Sequence, residues 1–264
     1  MVRISSADNP LVRRLRRLAD SPRAGRETER SIAEGVHLVE SALAARVSIT
    51  AVVISEAASA PVRALAEATA ERAAARVAEL SRTLYDSIAP VEHGAGILIE
   101  IVIPRPQLPI GQGADAVYLD GIQDPGNAGT LLRTAAAAGI QHVVASPGTV
   151  FLWAPKVLRA AMGAHFAVSL YEDVPPEHLV AAFDAERIAA DAGGGEPLYE
   201  ASWGLRPTVW MFGSEGQGLS AAASGLAERR LRIPIASAVE SLNVGAAAAV
   251  CLFEQKRRRE HGTK

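Results

Sequence analysis

The sequence predicts an α/β protein in two parts: a small N-terminal unit of helices and short strands, and a larger C-terminal domain built on a mostly parallel sheet covered by helices. Three observations carry this. Strand-like β-branched runs alternate with alanine-rich, helix-length segments along the whole chain. From Ala116 onward the alternation becomes strongly βα, which implies a parallel sheet clothed on both faces, with ligand sites at the carboxyl ends of its strands. Between the two parts, Pro104 to Asp115 (PRPQLPIGQGAD) holds three prolines and two glycines without periodicity, the composition of a boundary. The expected division is residues 1–103, a linker at 104–115, and 116–264.

In the first part, Asn9 or Asp8 can cap a helix with Pro10 in its first turn, and Leu11, Leu15 and Leu18 fall on one face. A short extended piece, Ser31 to Glu34, leads through Gly35 to a helix with Val36, Val39 and Leu43 inward. Ile49 to Ser55 reads as a strand. Ser59 and Pro61 open an alanine-rich helix to about Arg76, Val77 to Leu80 is a short strand, Ser81 caps a short helix, and Gly96 to Ile103 is a strand.

In the second part, strands are expected at Ala116 to Leu119, Gln141 to Ala145, Phe166 to Leu170, Arg187 to Asp191, Thr208 to Phe212 and Leu231 to Ile235. Helices are expected at Ala128 to Ala138, stopped by Gly139, and at Pro155 to Met162. The run Gly193 to Gly195 reads as a flexible loop. Ile233 to Phe253 (IPIASAVESLNVGAAAAVCLF) crosses a polar turn, Ser237 to Asn243, into an alanine-rich helix.

The chain has 264 residues, 49% of them hydrophobic, and a formal net charge of -2, so it can bury substantial cores and is not a uniformly basic binder. The longest apolar run near the C-terminus, Val244 to Phe253, is about half of what a bilayer requires, so no membrane span is expected. A secretory leader is not expected, since the start lacks an apolar run, and Asp8, Asp20 and the apolar register of Leu11, Leu15 and Leu18 argue against an organellar transit peptide. The single cysteine, Cys251, excludes an internal disulfide and a thiolate zinc cluster and suits a reducing cytoplasm. Basic charge collects in the first thirty residues, where eight arginines face four acids. Arg13, Arg14, Arg16 and Arg17 have no acid among them between Leu11 and Leu18. That is the pattern of a solvated helix face and equally one a phosphate backbone attracts, which makes the four a candidate RNA face.

Three turns at strand ends carry the chemistry. LDGIQDPGNAGTLLRTAAAAG, Leu119 to Gly139, offers a turn at Asp124 to Gly126, Asn127 as a helix cap, Gly129 for close backbone approach and Arg133 one turn further. It fits neither the dinucleotide glycine pattern nor a P-loop. FGSEGQGLS, Phe212 to Ser220, sets three glycines around Glu215, leaving backbone groups free to face a flat ligand. Ser241, Leu242 and Asn243 precede the last helix, where Ser or Asn can cap it.

Together, N-x-G-x(3)-R at Asn127, Gly129 and Arg133, F-G-S-E-G-x-G-L at Phe212 to Leu219, and Ile233-Pro234 followed by Ser241-Leu242-Asn243-Val244 resemble the SpoU (TrmH-like) family of RNA ribose 2′-O-methyltransferases, of the SPOUT class. PKVLRAAMGA, Pro155 to Ala164, is similar to another family segment. NPLVRRLRRL and EGVHLVESAL are similar to the ribosomal-protein-like RNA-binding domain of the ribosomal-RNA members, including the thiostrepton-resistance type. The resemblance implies a trefoil-knotted C-terminal domain, a homodimer formed through it, S-adenosylmethionine as methyl donor with no metal, and RNA, foremost large-subunit ribosomal RNA, as substrate. It implies that Gly213, Ile233 and Leu242 present backbone groups to the donor, and that Asn127, Arg133, Glu215, Ser241 and Asn243 are the polar active-site positions. Two departures stand out: Gly245 and Ala161 occupy places where the family commonly has serine. A non-catalytic RNA-binding or ribosome assembly factor on the same fold, or a tRNA 2′-O-methyltransferase, are the competing readings.

Overall fold

The computed structural model describes residues 1–89 and 94–261. In chain order its elements are β1 (Val2–Ile4), α1 (Pro10–Asp20), α2 (Pro22–Thr28), β2 (Arg30–Glu34), α3 (Val36–Ala44), β3 (Ile49–Ser55), α4 (Ala60–Arg72), β4 (Val77–Leu80), α5 (Arg82–Asp86) and β5 (Ile97–Val102). There follow β6 (Ala116–Asp120), α6 (Pro125–Ala138), β7 (His142–Ala145), α7 (Pro155–Ala161), a single 3-10 turn (Ala164–Phe166), β8 (Ser169–Tyr171), α8 (His178–Ala182) and β9 (Glu186–Ala190). The chain finishes with β10 (Glu196–Pro197), β11 (Thr208–Gly213), α9 (Ala221–Leu226), β12 (Arg229–Arg232) and α10 (Val244–His261). It divides into two compact units, one of residues 1–104 and 153–166, the other of 105–152 and 167–264.

In the first unit a five-stranded sheet has the order β1-β4-β3-β5-β2. β1, β4 and β3 run parallel, and β5 is antiparallel to both β3 and β2. Asn9 caps α1, its side chain accepting from the Leu11 N–H, with Pro10 in the first turn. The inward face of α1 is Val12, Leu15 and Leu18, packed with Ile32, Val53, Leu80 and Leu98, while Leu11 lies at the edge of that cluster. In α3 the buried side chains are Leu38, Val39 and Ala42, so Val39 faces inward as expected while Val36 and Leu43 flank that face, half-buried. Ser81 caps α5 as its sequence suggests, accepting from the Leu84 N–H. Ser31 on β2 donates to the carbonyl of Trp153, whose segment belongs to this unit.

The second unit holds a seven-stranded sheet, β10-β12-β9-β11-β6-β7-β8. Every pairing in it is parallel. β6, β7 and β8 are laid down in sequence toward one edge. The chain then crosses over, places β9 on the other side, and inserts β11 between β9 and β6. This reversal is a switch point, and an open parallel sheet has its natural crevice there, beyond the strand ends.

Several boundaries differ from the sequence expectation. The last strand is Arg229–Arg232, between β10 and β9, so Ile233 to Ile235 lies beyond the sheet and is available to a site. Asp124, not Asn127, caps α6: its carboxylate accepts from the Asn127 N–H at 2.7 Å, which frees the Asn127 side chain. Gly193 to Gly195 is a fitted turn. Gly195 has φ +89°, and a Cβ there would stand 2.3 Å from the Arg230 carbonyl oxygen, so only glycine fits. The segment 105–115 is also held: the Gly111 and Gln112 N–H groups donate to the carbonyls of Ala181 and Ala182.

Candidate active site

Beyond the carboxyl ends of β9, β11 and β12 lies a cavity of about 680 Å³, within the size range of small-molecule sites. Its walls are Asp191 to Gly193, Phe212 to Glu215, Gln217 to Leu219, Ile233, Ile235 and Ser241 to Val244. Two of the three turns singled out in the sequence thus meet here: Gly213, Ile233 and Leu242 share one cavity, and Glu215, Ser241 and Asn243 line it with them.

Glycine at 213 is forced. A Cβ there would lie 2.0 Å from the carbonyl carbon of Gly218 and 2.2 Å from the Leu219 nitrogen, both backbone atoms that cannot step aside. The loop folds back on itself, the Ser214 N–H donating to the Gly218 carbonyl at 3.0 Å and the Gly218 N–H to the Ser214 carbonyl at 2.9 Å. Gly218 takes φ +68° to allow this. The floor is tied to β6 by Asp120, whose carboxylate accepts from the Ser220 N–H at 2.6 Å.

A directional chain of side-chain hydrogen bonds joins the turns. The Gly245 and Ala246 N–H groups donate to Asn243 Oδ1 at 2.9 and 3.3 Å, so Asn243 caps α10 and Ser241 does not. Asn243 Nδ2 donates to Asn127 Oδ1 at 2.9 Å, and Asn127 Nδ2 donates to Glu215 Oε1. Each amide thereby uses its acceptor toward one neighbour and its donor toward the next, and the negative end of the chain falls on a carboxylate. These are three of the five polar positions expected from the sequence, in direct contact. Ser241 is exposed at the rim.

Arg133 stands apart. It is exposed on α6, outside the cavity walls, and has no hydrogen-bond partner among the described residues. Six residues past Asn127 on the same helix, it is about 9 Å further along the axis.

The sequence reading missed a cluster on the far wall. Arg230 Nη1 donates to Asp191 Oδ2 at 3.1 Å, and its Nη2 donates to Ser224 Oγ at 2.6 Å and to the Ser224 carbonyl at 2.9 Å. Asp191 Oδ1 accepts from the Gly193 N–H at 2.9 Å. The available signal was the glycine run directly after a strand, at the end of the sheet where the other turns lie.

On the first unit, Arg13 is exposed on α1. Arg16 donates to Ser87 Oγ at 3.0 Å and Arg17 to Glu27 at 3.2 Å. Arg14 reaches inward to Glu100 through Nε at 2.8 Å and Nη2 at 3.0 Å, and this bonding holds its guanidinium above its ordinary pKa. The acid missing from Leu11 to Leu18 is thus supplied from elsewhere in the chain. Among the described residues, no group of three or more His, Cys, Asp or Glu side chains could hold a metal ion, and no helix is long and apolar enough to cross a membrane.

Comparison with known proteins fits this geometry. A family model described as the SpoU rRNA Methylase family matches residues 115–253, and one described as the MRM3-like substrate binding domain matches residues 9–98. An uncharacterized tRNA/rRNA methyltransferase of Synechocystis sp. is 32% identical over 269 residues, spanning 97% of this chain and 93% of that one. The 23S rRNA (guanosine-2′-O-)-methyltransferase RlmB of Bordetella pertussis is 30% identical, over 72% of this chain and 82% of that one. The mitochondrial rRNA methyltransferase 3 of Xenopus laevis is 34% identical over 207 residues, and the chain spans about half of its length, 49%. Among solved structures, an AdoMet-bound rRNA methyltransferase from Sinorhizobium meliloti superposes with a TM-score of 0.85 at 26% identity, covering 99% of this chain and 98% of that one.

Proposed function

Since this chain belongs to the SpoU rRNA Methylase family, we propose that it transfers the methyl group of S-adenosylmethionine to a ribose 2′-hydroxyl of RNA, with large-subunit ribosomal RNA as the substrate. The observation that carries the reading is the shared cavity of Gly213, Ile233 and Leu242, locked to Asn127 by way of Asn243 and Glu215.

The residues present suit the donor. A backbone-walled cavity, closed to any side chain at Gly213, grips a flat nucleoside by peptide groups. Gly213, Ile233 and Leu242 would hold it. When bound, S-adenosylmethionine supplies an electrophilic methyl group, so the protein must position the ribose oxygen in line and stabilise the charge left as its proton departs. Asn127, Glu215 and Asn243 fix three loops relative to one another, and Ser241 at the rim is placed to meet the acceptor. A guanidinium stays protonated and is no base. Arg133 accordingly serves by holding the neighbouring phosphate and stabilising the developing alkoxide.

Arg133 lies outside its own chain's cavity, which supports a homodimer through the C-terminal domain in which it serves the partner's site. The outward face of α10 bears Ala246 and Phe253, the latter 45% exposed, an apolar strip suited to such pairing. We read this domain as trefoil-knotted, a reading supported by the late insertion of β11 between β9 and β6. Residues 1–103 are the RNA-binding domain, 104–115 the connection and 116–264 the methyltransferase domain. A reducing cytoplasm suits Cys251, which is buried and whose thiol pKa burial pushes up to about 12.

Two variants test the reading together. Arg133→Ala is expected to lose about 100-fold or more in methyl transfer to ribosomal RNA, with S-adenosylmethionine affinity by calorimetry within a few-fold of the parent. Gly213→Ala is expected to lose the calorimetric signal altogether. Mixing the two should restore part of the activity, because each mixed dimer keeps one intact composite site. Unchanged turnover in Arg133→Ala would sink the assignment.

A further inference from the structure

The most carefully built charged cluster outside the cavity is in the first unit. Glu100 sits in the middle of β5, opposite Ile32 on β2 and Ala51 on β3, and is fully buried. A carboxylate so placed must be paired. Its Oε1 accepts from Arg14 Nε at 2.8 Å, and its Oε2 accepts from Arg14 Nη2 at 3.0 Å and from Thr50 Oγ1 at 2.8 Å. Arg30 Nη1 donates to the same Thr50 hydroxyl at 2.7 Å and stands 3.5 Å from Glu100 Oε2. Thr50 is brought there by a register irregularity between Ile49 and Ala51, since in regular alternation it would face away from Glu100.

Two guanidiniums on one carboxylate leave a net positive charge. Neutralising Glu100 needs only one of them. The side chains of Arg14 and Arg30 remain 44% and 33% exposed, and their outer N–H groups have no partner among the described residues. Glu100 and Thr50 consume the inner edges, so the outer edges are presented to solvent as fixed forks, the geometry that receives a phosphate oxygen pair. Arg17 and Arg23 offer a contrast: they also share one acid, Glu27, but it is 42% exposed rather than buried.

We propose that Arg14 and Arg30, held by buried Glu100 and by Thr50, form a preorganised site for a phosphodiester group of the substrate RNA. The inference rests on the RNA methyltransferase reading and deepens it. Arg14, on helix α1, looks on sequence like one of four equivalent surface arginines but is partnered by Glu100 of strand β5, and Arg30 enters a site from which the sequence reading omitted it.

Full-length protein and an unmodified transcript of large-subunit ribosomal RNA provide the test, with dissociation constants measured at several salt concentrations and thermal melting run alongside. Glu100→Gln decides by its sign. It removes a negative charge, so plain electrostatics makes RNA binding tighter, whereas loss of preorganisation makes it weaker, by about fivefold or more. Arg30→Gln is expected to weaken binding and lower the salt slope by about one. Arg30→Lys, which keeps the charge and loses the fork, should weaken binding with the slope retained. Arg23→Gln should match the parent. If Glu100→Gln melts early, the Arg30 pair decides, because Arg14 still satisfies Glu100 in both variants. Tighter binding by a stably folded Glu100→Gln, or Arg30→Gln with parental affinity and slope, overturns the site while leaving methyl transfer by the parent protein intact. A parent protein that neither binds nor methylates the transcript overturns the functional reading and the site with it.

Discussion

At the scale of single residues, Gly245 shows how a departure from a family pattern can be compensated nearby. A Cβ at this position would stand 2.7 Å from Thr130 Cγ2 and 3.2 Å from Asn243 Oδ1. The start of α10 is therefore pressed on α6, and a serine cannot enter without displacing the threonine methyl. Gly245→Ser is expected to cost about 1–3 kcal/mol in urea denaturation, the usual penalty for overpacking. Thr130→Ser removes that methyl while keeping the hydroxyl that donates to the Gly126 carbonyl at 2.9 Å. The double variant should recover most of the loss, a coupling that a double-mutant cycle reads directly. Additive losses would mean that the close approach is not the reason for glycine. Residues of this kind are half legible. Asn127, Glu215 and Asn243 are named by the family resemblance of the motifs that hold them, and the structure brings their side chains into hydrogen-bond contact. Asp191 and Arg230 are not, because an arginine in the run Arg229–Arg232 looks like any strand charge, and its partners lie 39 and 6 residues away in the chain.

At the scale of elements, α10 illustrates what composition hides. Its first half reads correctly as an apolar helix, but its end, QKRRREH, looks like a solvated tail. In the structure Arg258 is 4% exposed. It donates to Glu254 and to the carbonyls of Leu198, Tyr199 and Ala201, all between 2.8 and 3.1 Å, with its guanidinium carbon 4.7 Å from the Trp203 ring centre. One turn earlier, Gln255 accepts from the Trp210 indole at 2.6 Å. A loop without regular structure thus spends its carbonyls on a single side chain, an arrangement only the long-range fold can supply. Arg258→Ala strands those acceptors in the interior, and about 3–5 kcal/mol of unfolding free energy is expected to go with them. Arg258→Lys should recover only part, since one ammonium cannot span three carbonyls. Chemical denaturation measures both; a neutral Arg258→Ala would mean the tail is solvated after all. A β-branched run such as Ile49–Ser55 carries its own boundaries, whereas two-residue β10 and three-residue β1 are defined by their pairing alone.

At the scale of the whole molecule, the composition of the two units is not written in any one stretch of the sequence. Residues 153–166, far beyond residue 104, belong to the first unit. Within it, the carbonyl of Trp153 accepts from Ser31 on β2, and Gly163, at φ +86°, sits where a Cβ would touch Ser41 Oγ at 2.8 Å. No local pattern announces such an exchange, since a helix that packs outside its own half has the same apolar periodicity as one that packs within it. The consequence is testable by dissection. A fragment of residues 1–104 keeps its five strands but lacks the segment that covers β2, so it exposes apolar surface that the intact unit buries. Rejoining residues 153–166 behind residue 104 through a flexible linker should restore that cover. Returning about 2 kcal/mol to a unit of this size is expected to raise its melting temperature by about 10 °C. Equal melting temperatures for the two chains would show that the first unit is complete without the borrowed helix, and that the segment's place in it contributes nothing to its stability.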